Sequence, residues 1–146
     1  MAFKEITFLK YASDLVIDHD HFHFSNENIN VTPAVLPLGT IVTRVKGSTV
    51  GTAYKKVAVA ADVTAENEYA VVFGDHHSFN YDFTPKEIAA GKWNALGIVR
   101  NAAFKEFYIK QNYATVLGAA PYAQLKQLLA AQDLLVLDDV SDLKAA

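Results

Sequence analysis

The feature that most constrains the fold of this chain is a β-type pattern over residues 35–75, completed much later by one helix and a short strand. The pattern opens with VLPLGTIVTRV, in which a Pro-Gly turn leads into a strand, and continues with YKKVAVAADV and NEYAVVFGD. Residues 121–137 end it with PYAQLKQLLAAQDLLVL. We therefore predict a mainly β (α+β) fold, a small β-barrel or β-tulip-like domain with a closing C-terminal helix.

The predicted strands differ in how much of their surface is apolar. In the segment 41–45, Ile41 and Val45 lie on one side and Val42 and Arg44 on the other. The segment 69–73 is apolar on both faces, which favours a central position in the sheet. Gly97 inside a strand is typical of a bulge or a close backbone approach. Strands are predicted at 41–45, 56–60, 69–73, 93–99 and 134–137, with a loop at 47–51.

The clearest predicted helix covers residues 121–132. Its proline suits the first turn, and Tyr122, Leu125, Leu128 and Leu129 recur along one face. By the same proline argument we predict a short helical turn at 85–90. The segment 102–113 is ambiguous between strand and helix, and residues 141–146 are predicted to be a frayed tail.

Composition limits the classes of function. The chain has 146 residues, which suits one domain, and its net charge of −3 with dispersed basic residues does not indicate nucleic-acid binding. It contains no cysteine, so disulfides, thiolate nucleophiles and cysteine zinc sites are excluded. No apolar run is long enough to span a membrane, and the N-terminus lacks a signal-peptide pattern. We expect a soluble product that is made in the cytoplasm.

Residues 1–32 differ in texture from the rest of the chain. They mix aromatic residues, carboxylates and histidines, and they end in the polar stretch SNENIN at 25–30, which is typical of a turn or linker. The segment 15–24 is either a strand or part of an arm that becomes ordered on contact with a partner. We therefore divide the chain into an N-terminal arm or extension, residues 1–32, and a single β-rich domain, residues 33–146.

Two histidine-rich segments are the candidates for metal binding or catalysis. In the run DHDHFH, strand alternation would place His19, His21 and His23 on one face at roughly 6.5–7 Å spacing, which is too wide for one tetrahedral zinc within a chain. His76 and His77 are adjacent, so on extended backbone they point apart, and no nucleophile in a recognisable motif accompanies Asp75. We predict no catalytic residues, no metal and no cofactor.

Other binding motifs are missing from the sequence. The phosphate-binding patterns GxGxxG and GxxxxGK[ST] do not occur, and neither does HExxH. The aromatic residues could form a base-stacking platform, but without a basic field we interpret them as core and interface residues. A small β-barrel metal- or ligand-binding protein, or an enzyme using the histidine segments, stays open as the alternative function.

The order of the motifs resembles the head decoration (cement) proteins of tailed bacteriophages, the lambda-type family, over residues of about 30–138. The corresponding pieces are LPLGT at 36–40, AVVFGD at 70–75, IVRNAA at 98–103, and the helix and strand of 122–136. The chain departs from the family pattern in its longer arm and in an inserted segment around 79–90.

The resemblance implies a structural virion protein and not an enzyme. It implies a homotrimer that binds the major capsid protein on the outer surface of the capsid, at local three-fold sites, and that stabilises the expanded shell. It further implies that the arm adds as a strand to the capsid protein. A minor virion component such as a head fibre base is a third interpretation. The candidate capsid-binding residues are Phe3, Ile6, Phe8, Tyr11, Phe22 and Phe24.

Overall fold

The computed structural model describes residues 16–19, 26–33, 36, 39–74, 86–89 and 92–137. Within these residues the chain forms nine strands and two α-helices, so the predicted mainly β, α+β class is confirmed. The strands are β1 Val16–His19, β2 Asn26–Val31, β3 Ile41–Val45, β4 Lys55–Lys56, β5 Asn67–Gly74, β6 Lys86–Ala89, β7 Lys92–Ile98, β8 Ala102–Lys105 and β9 Leu134–Leu137. The helices are α1 Glu106–Leu117 and α2 Ala119–Ala131, and a 3-10 turn covers Ala60–Asp62.

The larger of the two sheets has six strands. Its order is β2-β7-β5-β3-β4, and β6 also pairs with β7, so β5 and β6 share one edge of β7 while β2 follows the other edge. The predicted barrel is not closed by a strand ladder. The two ends of the sheet approach at one isolated bridge between Val31 and Tyr54, where Tyr54 N donates to Asn30 O at 2.8 Å. The sheet therefore curls without closing.

The smaller sheet has three strands in the order β1-β8-β9. β1 pairs antiparallel with β8, and β8 pairs parallel with β9. Parallel neighbours require a crossover, and here α1 and α2 supply it between β8 and β9. Gly118 separates the two helices with φ +90°, a conformation that favours glycine.

Two groups of buried residues form the core. The helix-side core lies between the sheets and the two helices; the sheet-interior core lies on the other face of the six-stranded sheet. Strand alternation divides β3 and β5 between them, because Ile41 and Val71 belong to the first and Val42 and Val72 to the second. The helix-side core comprises Ile41, Val57, Val63, Tyr69, Val71, Ile98, Ala102, Phe104, Ile109, Tyr113, Leu117, Tyr122, Leu125, Leu129 and Leu134. The sheet-interior core comprises Ile29, Val31, Leu36, Val42, Tyr54, Ala70, Val72 and Ala95.

Several element predictions are confirmed. β3 and β9 have the predicted bounds, β5 contains the segment 69–73 at the centre of the large sheet, and β7 covers most of 93–99. The predicted loop at 47–51 lies between β3 and β4. α2 matches the predicted C-terminal helix, with Tyr122, Leu125 and Leu129 buried and Leu128 packed against the same core.

Three predictions are wrong. The stretch SNENIN is not a turn from Asn26 onward, because Ile29 and Val31 are buried and β2 pairs along β7. The predicted strand 56–60 is reduced to β4, because the Asp62 carboxylate accepts hydrogen bonds from the backbone of Ala58 and Val59 and turns the chain.

The third wrong prediction is the helical turn at 85–90. β6 occupies this segment as a strand on β7, beyond the point where β5 leaves that edge. The ambiguous segment 102–113 is divided, since it contains β8 followed directly by the first part of α1. β1 and β2 both lie inside the predicted arm 1–32, so both sheets include strands that precede residue 33. The predicted frayed tail at 141–146 lies outside the described residues.

Candidate interaction surface

The structure places only part of the predicted arm. The six candidate capsid-binding residues, Phe3, Ile6, Phe8, Tyr11, Phe22 and Phe24, all lie outside the described residues. β1 follows the first four of them, and its Val16 stands opposite Phe104 of β8. Among the described residues β1 pairs with β8 alone. The segment 1–15 therefore joins the molecule at an edge strand of the three-stranded sheet.

The histidine segments are placed only at one position. His19 is the last residue of β1 and stands opposite Ala102 in the register with β8. His21, His23, His76, His77 and Asp75 lie outside the described residues. In the part of the chain that the structure describes, no group of three or more His, Asp or Glu residues is arranged to hold a metal ion.

A buried carboxylate joins the two helices. Glu106, the first residue of α1, is 6% exposed, and its Oε1 accepts hydrogen bonds from Tyr122 Oη at 2.9 Å and Lys126 Nζ at 2.7 Å. The ammonium of Lys126 also lies 5.3 Å from the centre of the Tyr122 ring. Because the carboxylate is paired with a cation and a hydroxyl of the same protein, we assign it to holding α1 against α2.

A second buried carboxylate shapes the turn after β4. Burial alone would raise the pKa of Asp62, but hydrogen bonds from Lys55 and from the amides of Ala58 and Val59 outweigh it and lower the pKa. The Lys55 Nζ to Asp62 Oδ1 distance is 2.7 Å. The backbone carbonyl of Asp62 also accepts a hydrogen bond from Tyr69 Oη at 3.1 Å, which links this turn to β5.

A third polar group lies between the large sheet and the loop at 47–51. Arg44 pairs with Glu68, donates to Thr52 O at 3.1 Å, and lies 4.4 Å from the centre of the Tyr54 ring. Burial, followed by the negative charge of Glu68, raises the pKa of Tyr54 to about 12. Tyr54 is therefore a neutral phenol at physiological pH. In all three polar groups, side chains within the protein pair with one another and join neighbouring elements of the fold.

The surface that stands out is the outer face of the three-stranded sheet. Leu134 is fully buried and Val136 packs on the helix-side core, whereas Leu135 and Leu137 are 44% and 43% exposed. In the register with β8, Leu135 stands opposite Ala103 and Leu137 opposite Lys105. We call these four residues, Ala103, Lys105, Leu135 and Leu137, the outer leucine face. A further apolar side chain, that of Phe107 at the start of α1, is 53% exposed.

Sequence reasoning missed this surface. It treated LLVL as an apolar strand and did not separate its two faces. Alternation within Leu134–Leu137 separates Leu135 and Leu137 from Leu134 and Val136, but all four side chains are apolar. Which pair is covered depends on the pairing of β9 with β8, a contact between segments that are far apart in the sequence.

A separate exposed apolar side chain lies at the tip of the loop between β3 and β4. Val50 is fully exposed, and the loop around it is held by hydrogen bonds from Ser48 Oγ to Val45 O at 2.6 Å and from Asn30 Nδ2 to Gly51 O at 3.0 Å. Singly exposed apolar residues are normal on protein surfaces, so this loop is a useful reference site for tests of the outer leucine face.

Comparison with protein-family models, with curated proteins and with solved structures found no match to this chain. Within the described residues, neither helix combines the length and the apolar character that crossing a membrane requires.

Proposed function

We propose that the protein is a capsid decoration protein, which binds the major capsid protein on the outer surface of an assembled phage head and stabilises the expanded shell. The observation that carries the proposal is the position of β1 at an edge of the three-stranded sheet, directly after a segment rich in apolar side chains. The motif order in the sequence and the mainly β class both support it. Under this proposal the protein is made in the host cytoplasm and acts in the virion.

The segment 1–15 suits strand addition. An extended peptide that joins an exposed sheet edge gains affinity from main-chain hydrogen bonds and specificity from alternate side chains. Phe3, Ile6, Phe8 and Tyr11 supply apolar side chains for such a contact, and Phe22 and Phe24 follow β1. These six residues are the proposed capsid contacts.

A homotrimer is the proposed assembly, because the proposed sites are local three-fold positions of the shell. Three arms on one trimer raise the apparent affinity by roughly 10²–10⁴ over one arm when the geometry allows simultaneous binding. A protein that binds the assembled shell and not its dissociated subunits stabilises the shell by mass action. The physical role is therefore cementing, with no chemical step.

The test is co-sedimentation of the full chain with expanded heads that have been assembled without it. The variant F3S/I6S/F8S removes three apolar side chains from the arm, and K4S/E5S/K10S is its control with three polar substitutions in the same segment. We expect the first to weaken head binding by about tenfold or more and the second to change it much less. All substitutions precede β1, so both variants should retain the far-UV circular dichroism and melting temperature of the unmodified chain.

Three outcomes would contradict the proposal. They are an unmodified chain that does not bind heads, apolar and polar arm variants that bind equally well, and a strict monomer both in solution and on the head. Light scattering measures the oligomeric state in solution, and the number of chains bound per head measures the oligomeric state on the head. A deletion that tests the arm must end before Val16, because a longer one removes a strand of the sheet.

A further inference from the structure

We infer that the outer leucine face is a second contact with the major capsid protein, which lies beside the arm and binds together with it. This inference rests on the proposed function and assigns part of its binding surface. The proposed partner of Leu135 and Leu137 is an apolar patch of the capsid protein, next to the edge of the capsid-protein sheet to which the arm adds as a strand.

The first argument is the composition of the face. Leu135 and Leu137 alternate with the inward Leu134 and Val136, so both project from the same side of β9 and each is a little under half exposed. The small side chain of Ala103 lies opposite Leu135 across the strand pair. The two leucines and Ala103 form one apolar surface across the strand pair, and Lys105, opposite Leu137, lies at its border.

The second argument is the size of the face. A fully exposed aromatic side chain contributes about 150–250 Å² and a leucine contributes less, so Leu135 and Leu137 at 44% and 43% exposure together offer no more than about 200 Å². A stable interface needs about 800 Å² from each partner. The face is therefore too small to hold a second copy of the chain unaided, but it suits a contact that another element brings into place.

The third argument is the position of the arm. Val16, the first residue of β1, stands opposite Phe104, and Leu137, the last residue of β9, stands opposite Lys105. The start of β1 and the end of β9 thus lie at the same end of the sheet, about 10 Å apart across β8. Val16 is bonded to the segment 1–15, so a partner that binds this segment immediately before Val16 is brought near the end of β9 that carries Leu137.

The test compares L135T/L137T with V50T/V116T in the full chain. Threonine is a β-branched residue with high strand propensity, and it removes most of the apolar surface of the leucine that it replaces. Val50 and Val116 are even more exposed but lie on the loop after β3 and on α1, away from the outer leucine face. The measurements are affinity for expanded, undecorated heads, melting temperature, and oligomeric state by analytical ultracentrifugation.

We expect L135T/L137T to bind heads about tenfold more weakly, while it keeps its oligomeric state and a cooperative unfolding transition, and V50T/V116T to bind like the unmodified chain. Equal head binding by the two variants would overturn the inference while leaving the proposed function intact. Loss of oligomers in L135T/L137T would also overturn it, because the face would then be a subunit contact. Failure of the unmodified chain to bind heads would overturn the proposed function itself. Should the double variant not fold, Leu137→Thr alone provides the same comparison.

Discussion

The two cores of this protein lie on opposite faces of the same strands, yet they are held together differently. The helix-side core contains large side chains, including Tyr69, Phe104 and Ile109, and two helices cover it. Among the described residues, the sheet-interior core has eight buried residues against fifteen on the helix side, and the curl of the sheet encloses it. The difference shows that a covering layer of helices buries a larger apolar group than the curl of the sheet does by itself.

Hydrogen bonds over long sequence separations also favour the helix side. Ile41 N donates to Tyr113 Oη at 2.7 Å, which fastens β3 to α1. Gln132 accepts from Tyr69 N at 2.8 Å and donates to Tyr69 O at 3.1 Å, so its amide side chain acts as a strand partner for β5. Burial raises the pKa of Tyr113 to about 12, although the hydrogen bond from Ile41 opposes this, and the phenol therefore stays neutral below strongly alkaline pH. The helix side is thus fixed by specific polar contacts as well as by packing.

The largest expected effect is in the helix-side core. Leu125 is fully buried beneath α2, and Leu125→Ala should lower the free energy of unfolding by about 2–5 kcal/mol, since it removes apolar contacts and leaves a cavity. Urea or guanidinium unfolding of the full chain measures it. Leu128 on the same helix is only partly buried, so Leu128→Ala is the matched control and should cost less. Similar costs at both positions, or a loss below about 0.5 kcal/mol at Leu125, would be inconsistent with α2 covering the core.

The sheet-interior core should respond to added volume instead of lost volume. A Cβ at Gly97 would lie 2.7 Å from Ile29 Cδ1 and 3.5 Å from the Ala70 Cβ. Gly97→Ala should therefore destabilise by about 1–3 kcal/mol through overpacking. The close approach of Gly97 that the sequence predicts is confirmed by these distances, and the contact is with β2.

A double-mutant cycle with Ile29→Val sharpens this prediction. The substitution removes the Cδ1 atom nearest to the new Cβ, so the double variant should lose less stability than the sum of the two single variants. Strictly additive losses of unfolding free energy would show that the Ile29 side chain does not clash with the added Cβ, and that the sheet interior has room for it.

Apolar periodicity was sufficient to predict β3, β5 and α2 because each has a face that is buried by one dominant partner. The same reasoning failed for β2, whose polar Asn28 and Asn30 alternate with the buried Ile29 and Val31 and conceal the strand inside a turn-like composition. It failed for 85–90 because β6 is a strand through its pairing with β7, and the composition of the segment itself does not indicate that pairing.

For the candidate surface, the sequence identified the arm but not the face beside it. Exposure of Leu135 and Leu137 depends on the pairing of β9 with β8, and these strands are separated by both helices. The residues next to Leu134–Leu137 in the sequence do not determine which face of β9 the helices cover. Long-range pairing of this kind is where reasoning from local pattern ends.

A smaller loss of stability is expected from a substitution at the border of the helix-side core. Asp62 lies in the turn between Val57 and Val63, both of which are buried, and its backbone carbonyl is hydrogen-bonded to Tyr69 of β5. Its folded-state pKa is lowered, so the carboxylate stabilises the fold at pH values above its unfolded-state pKa, and this contribution is lost as the pH falls through the folded-state pKa. Asp62→Asn should cost about 1 kcal/mol at neutral pH and flatten the decline of stability in acid. Unfolding free energies measured from neutral to acidic pH test both. An unchanged acid decline in the variant would assign that decline to other carboxylates.

The smallest expected effect concerns the histidines, where we predict that removing metal changes nothing. The strand alternation predicted from the sequence would space His19, His21 and His23 too widely for one tetrahedral zinc in a single chain, and the sequence has no cysteine to complete a site. Of the three, only His19 is among the described residues, and it stands at the edge of the sheet that packs on the helix-side core.

Protein purified without a histidine tag should contain less than stoichiometric metal, and chelator should leave its melting temperature unchanged. The single variants His19→Ala, His21→Ala and His23→Ala should also keep the melting temperature of the unmodified chain. Asp18→Ala, in the same strand as His19, is the control. Stoichiometric zinc, or a chelator-induced fall in melting temperature that these histidine variants reproduce, would show that a metal contributes to stability beside the arm. The stability of this edge would then depend on metal ligation as well as on the packing of β1 against β8.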